Sequence, residues 1–212
     1  MAGGNFYLLG NDSVGDCVFA GAAHETMLWT LESGNPRAHF TTKDVLSDYS
    51  ALTGYNGTEE SDQGTDMQTA AAYRKSIGIV DASGIRHRVF GFASLKAGDL
   101  NQLAQAVYLF GAAGVGVQIP SSAESQFDNG EPWSVVAGDQ IEGGHYVPCV
   151  GRDANGNYLF ITWGKVQAAT PEWVKTYMDE GLAYLSLEML TAKSVSPENY
   201  DAAALQAYLG VI

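Results

Sequence analysis

The sequence predicts an α+β fold, with an N-terminal helical lobe facing a C-terminal antiparallel β-sheet lobe across a cleft. Three observations predict it. The first eighty residues carry helix-length apolar segments with start and stop signals. The second half changes to short strand-length runs, two of them separated by the turn dipeptide Asn155-Gly156. Helices first and antiparallel strands later segregate into two layers. A chain of 212 residues, with no internal repeat or clear linker, suits one domain over 1–212. Its helical lobe is expected over about 1–80 and its mainly β lobe over about 81–212.

The first helix is expected over Cys17 to Leu31, "CVFAGAAHETMLWTL", and Gly34-Asn35-Pro36 ends it. It is apolar on every side, which marks a buried helix. "TTKDVLSDYSALTG" is the second, with Thr42 as expected N-cap and Gly54 as C-cap. "DMQTAAAYRKSIG" is the third, after the polar loop "YNGTEESDQGT". "RHRVFGFASL" then reads as a strand, "DLNQLAQAVYLFG" as a helix capped by Asp99, and "AGVGVQIP" as a short strand. "GHYVPCVGRD" and "NYLFITWG" are two strands of a hairpin. "TPEWVKTYMDEG" is a helix with Thr170 as N-cap and Pro171 at N1, and "AYLSLEML" a last strand.

Composition excludes several classes. The net charge of −13 is poorly suited to phosphate backbones or anionic lipid, so nucleic acid and membrane are not expected as main partners. No apolar run approaches the ~20 residues that cross a bilayer, and the start "MAGGNFYLLGND" lacks the basic and apolar regions of a signal peptide. A protein not secreted by a signal peptide is therefore expected. The two cysteines, Cys17 and Cys149, are expected as free thiols. No Cys or His pair has zinc spacing, and "HETML" lacks the second His of a zinc-protease helix, so neither metal nor cofactor is expected.

Chemistry concentrates on two residues. Cys17 stands where a polar, Gly-containing turn gives way to the first helix, and a helix N-terminus favours the thiolate. A histidine able to hold the proton would complete a nucleophile. His145 is the candidate, opening a strand after Gly143-Gly144, which leave room for a substrate backbone. His24, on the same helical face as Cys17, reads as a buried core histidine, and Cys149 as a small core residue.

Taken in order, these motifs resemble papain-like cysteine peptidases. Cys17 and His145 are 128 positions apart, close to the roughly 130–150 usual in that family. "GDCVFAGA" is similar to the family's nucleophile helix start, with Val18 where Trp is usual. Asn11 stands six residues before Cys17, where the family has the Gln that donates to the oxyanion. "DQGTDMQTAAAY" resembles the cleft wall, which implies substrate contacts at Gly64 and Thr65, with Gly144 across from them. "GGHYVPCVGRD" and "NYLFITWG" resemble the His strand and the strand that carries an Asn before Trp-Gly. Here that string is "ITWG", so Thr162 is the nearest polar residue to orient His145, and Trp163 would shield it. A hairpin turning at Asn155-Gly156 is expected to put Thr162 on the His145 face, and a one-residue bulge to reverse that.

The resemblance implies a cysteine hydrolase acting on a peptide or protein substrate. Cys17 would be the nucleophile and His145 its ion-pair partner, with Asn11 and the Cys17 N–H holding the oxyanion. The missing Asn and shortened Gln position leave a non-catalytic structural or binding module as the alternative, and thiol acyl transfer as a third. "GDCVFAGAAHETMLW" with "GGHYVPCVGRD…ITWGK" is also similar to papain-like proteins of actinobacterial bacteriophages and their hosts. That implies a host-cytoplasm or virion setting and a phage or host protein partner.

Overall fold

The computed structural model describes residues 5–189; positions 1–4 and 190–212 of the expected single domain lie outside the described residues. The helical part comes first. Helix α1 (Cys17–Glu32) is buried along most of its length, as its all-round apolar sequence requires. Helix α2 (Thr42–Thr53) is fixed at its start by a capping box. Its N-cap is Thr41, one residue before the expected Thr42: Thr41 and Asp44 exchange side-chain bonds to each other's backbone N–H. Gly54, at φ 80°, ends α2 in the left-handed conformation. Helix α3 (Met67–Ser76) is capped by Asp66, whose carboxylate accepts from the Thr69 N–H.

The β part is a six-stranded antiparallel sheet of β3 (Val89–Leu95), β4 (Ala113–Pro120), β5 (Ile141–Arg152), β6 (Tyr158–Thr162), β7 (Lys165–Ala169) and β8 (Met178–Ser186). Their order is β3-β8-β4-β5-β6-β7. A two-stranded ribbon, β1 (Ile79–Val80) with β2 (Arg86–His87), stands apart. One sheet face packs Tyr146, Ile161, Leu182 and Tyr184 against α1. The other packs Val115, Val147, Cys149 and Phe160 with Leu103 of α4 (Leu100–Phe110) and Trp173 of α6 (Pro171–Tyr177). Both α1 and β5 are thus core elements, and the site lies at the start of α1 and inside β5. The strand begins at Ile141, so His145 is its fifth residue and does not open it as expected, because Ile141, Gly143 and Gly144 already pair with β4.

Several elements differ from expectation. The "RHRVFGFASL" strand is split between β2 and β3, because Arg86–His87 pairs with the ribbon and only Val89 onward joins the sheet. The last helix stops at Tyr177 instead of running to Gly181. Met178 pairs with Val117 of β4, and this sheet pairing overrides the local helical pattern. Helix α5 (Ser122–Asp128) and strand β7 were not expected. The turn before β7 has Trp163 at φ 45° and Gly164 at φ 75°, the paired left-handed residues of a two-residue hairpin turn.

Candidate active site

Cys17 is the first residue of α1, half-buried, behind a turn tied down at both ends. The Ser13 and Val14 N–H groups both donate to the Gly10 carbonyl. The Gly15 N–H donates to Asp62 Oδ2 at 2.8 Å, and the Tyr49 hydroxyl donates to Asp62 Oδ1 at 2.5 Å. The Gly64 N–H donates to the same Tyr49 oxygen at 3.1 Å. Asp62 and Tyr49 therefore hold the loop with Gly64 and Thr65 beside the nucleophile.

His145 lies on β5 with Nε2 2.8 Å from Thr162 Oγ1. The register explains how they meet. Arg152 pairs with Tyr158 and Gly151 with Leu159, a register that by itself would set Thr162 opposite Pro148, on the face away from His145. A bulge between Cys149 and Gly151 shifts the pairing to Cys149↔Phe160 and returns Thr162 to the His145 face. The expected role of the bulge is thus corrected: it creates the contact. Trp163 stacks on the His145 ring at 5.3 Å between centroids and 18° between planes. Phe127 and Trp133 hold Trp163 edge-on from behind.

Cys17 and His145 line one cleft of about 690 Å³ with Gly64, Thr65, Gly144 and Met67. A Cβ at Gly143 or Gly144 would meet nothing within 4 Å, so the strand edge beside His145 is open. Two expected residues lie elsewhere. Asn11 and Trp163 line an adjoining depression of about 360 Å³, with Leu8, Ile119 and Phe127. Asn11 is on the turn before α1 and lines this depression, not the cleft around Cys17. His24 and Cys149 are core residues, as expected. His24 Nε2 bonds the Phe6 and Tyr7 carbonyls at 2.8 and 3.1 Å, and Cys149 is fully buried.

Burial opposes an ion pair of Cys17 and His145. Burial pushes the Cys17 thiol up to about 11, with the Asp16 carboxyl adding to the rise. Backbone groups of Tyr146, Val18 and Cys17 itself pull the other way and are outweighed. Burial pushes His145 down to about 4. Desolvation thus favours the neutral thiol and the neutral imidazole, against the helix-start field that favours the thiolate.

Sequence reasoning missed three contributors. Asp16 is fully buried with neither carboxyl oxygen hydrogen-bonded, and burial raises it to about 8. Nothing in an Asp before a helix signals this, since Asp usually caps with its side chain, and here it does not. Asp179 and Glu180 of β8 line the cleft opposite Asp66. They were hidden because the segment reads as helix, and only the β4–β8 pairing brings it there.

No family model matches the chain, and no curated protein does. Solved structures do match. Xylellain, a cysteine protease from Xylella fastidiosa, superposes with a TM-score of 0.63 at 12% identity, over 82% of this chain and 80% of that one. The Carica candamarcensis cysteine protease CMS1MS2, in complex with E-64, gives 0.61 at 13% identity, over 87% and 98%. Procathepsin L 3 from the Tenebrio molitor larval midgut gives 0.62 at 16%, over 86% and 66%. The chain has the papain-like α+β fold of these cysteine proteases.

Proposed function

We propose that the chain is a papain-like cysteine peptidase of narrow specificity. The observation that carries this reading is a single cleft lined by Cys17 at a helix start and by His145, whose ring is bonded to Thr162 and covered by Trp163. Cys17 Sγ attacks the peptide carbonyl carbon while its proton passes to the free Nδ1 of His145. Because burial favours the neutral form of both groups, the transfer accompanies attack in this reading. The Cys17 N–H, at the start of α1, is the principal oxyanion donor, and Asn11 the second, from the adjoining depression. The C–N bond then breaks as His145 returns the proton to the leaving amine. Water, deprotonated by the same ring, hydrolyses the thioester and frees Cys17.

The cleft lining favours cationic substrate side chains. Among the described residues, Asp66, Asp179 and Glu180 line it and no Lys or Arg does. The substrate is a peptide segment of a phage or host protein, and the setting is host cytoplasm or virion; the support is the narrower sequence resemblance around Cys17 and His145. The burial that disfavours charge on both Cys17 and His145 favours a second reading, a papain-like module that keeps the cleft as a binding site without turnover.

Incubation with E-64 and with Lys/Arg-bearing fluorogenic peptides tests the choice. Covalent E-64 on Cys17 and hydrolysis abolished by Cys17→Ala but kept by Cys149→Ala support the peptidase. Peptide binding with neither adduct nor turnover supports the module.

A further inference from the structure

The residue after His145 carries an anchor that the mechanism has not used. The Tyr146 hydroxyl donates to Glu25 Oε1 at 2.7 Å, fully inside the protein. Glu25 lies on α1 eight positions after Cys17, about two turns further along the same helix. Its other oxygen meets Arg74 of α3 at 2.6 Å, and the Arg74 guanidinium lies over the Tyr184 ring at 4.2 Å. The ring of Tyr146 reaches Glu25 through a slot cleared by two glycines. A Cβ on Gly21 of α1 would collide with the Tyr146 ring, and one on Gly114 of β4 would collide with its ring and hydroxyl. Gly21 is one turn after Cys17 and one turn before Glu25. One residue thus follows His145 directly on β5 and is fastened to the nucleophile's helix through its side chain.

The geometry points to Tyr146 as the positioning residue of the Cys17–His145 pair, an inference that rests on the peptidase reading: its bond to Glu25 and its passage between Gly21 and Gly114 set the distance between β5 and the start of α1. Buried packing and a buried hydrogen bond specify one strand-to-helix spacing. Thr162 and Trp163 fix the orientation of the His145 ring but come from β6 and its turn. Tyr146 links the two catalytic elements directly. Glu25 and Arg74 keep its acceptor in place, each satisfying the other's buried charge.

The test is the rate of Cys17 alkylation by iodoacetamide against pH in the full chain, with Cys149→Ala as background. Tyr146→Phe keeps the ring and removes the anchor. Its expected effect is a loss of about tenfold in the His145-dependent part of the rate near pH 7, with the thiolate limb at high pH unchanged. Gly21→Ala, which displaces the ring, is expected to do the same. Leu103→Ala, a fully buried change on α4 in the core on the other face of the sheet, serves as the stability control and is expected to lower Tm with labelling unmoved. Wild-type labelling that depends on His145 but is unaltered in both Tyr146→Phe and Gly21→Ala overturns this inference and leaves the peptidase reading standing. So does a fall in labelling that merely tracks Tm across all three variants. Wild-type labelling independent of His145 overturns both.

Discussion

His145 Nε2 and Thr162 Oγ1 lie 2.8 Å apart, a histidine oriented by a hydroxyl. A hydroxyl donates or accepts, whereas an Asn carbonyl oxygen only accepts. When Thr162 accepts from Nε2–H, Nδ1 is the free base that Cys17 needs. When Thr162 donates, the proton sits on Nδ1 and the ring is in the wrong tautomer. Thr162 therefore orients the ring without fixing its proton.

Two substitutions separate those roles. Thr162→Val removes the bond and is expected to lower kcat/KM about tenfold or more, with KM little changed. Thr162→Asn supplies an acceptor-only oxygen and is expected to raise kcat severalfold. Steady-state kinetics on a fluorogenic peptide checks both, and a Thr162→Val enzyme as fast as wild type contradicts the assignment.

Asp16 sets a pH dependence of stability. Its folded pKa, about 8 through burial, lies above the unfolded value near ~3.9. Between those values the folded chain binds more protons than the unfolded one, so stability falls as pH rises from about 4 through about 8. Asp16→Asn is expected to be more stable than wild type above pH 8, with the Tm difference shrinking towards pH 4. It also removes the neighbouring charge that raises Cys17, so the Cys17 thiol is expected to titrate lower. Thermal melts across pH decide this, and a Tm difference independent of pH counts against it.

Charge in the cleft governs substrate choice. Glu180 is part-buried, and its carboxyl is pushed up by burial and by the nearby Asp179 and Asp66, a site that a cationic side chain would relieve. Glu180→Gln is expected to lower kcat/KM about three- to tenfold for Lys- or Arg-bearing peptides and to leave neutral peptides unaffected, with the preference weakening in high salt. Equal losses on both peptide classes contradict it.

Asn11 is expected to be a weak oxyanion donor, since it lines the neighbouring depression. Asn11→Ala should cost less than the ~3 kcal/mol typical of a full donor, and Asn11→Gln, one methylene longer, should raise kcat. A full-size loss in Asn11→Ala places its amide on the oxyanion.

The helix order, the buried α1 and the pairing of Cys17 with His145 in one cleft were legible in the sequence. They depend on local patterns: apolar runs, caps, and a Cys and His at family spacing. The meeting of Thr162 with His145 was only half legible, because it turns on a bulge at Val150 that no residue there announces. The balance at the thiol was only half legible, since a helix start favours the thiolate and only the fold shows the burial that opposes it. Asp179 and Glu180 escaped because a helical pattern was overridden by β4–β8 pairing. Tyr146 escaped because its partner is 121 positions away on α1.

The most direct measurement is the rate of Cys17 alkylation by iodoacetamide from pH 4 to pH 11, in Cys149→Ala with and without His145→Ala. A neutral pair with His145 as base gives a plateau from about pH 5 to pH 9, above the lowered His145 pKa and below the raised Cys17 pKa. That plateau is expected to disappear in His145→Ala. A rate that is negligible at pH 6, rises only with the thiolate towards about 11 and is the same without His145 would contradict the account, leaving a papain-like cleft without a working nucleophile.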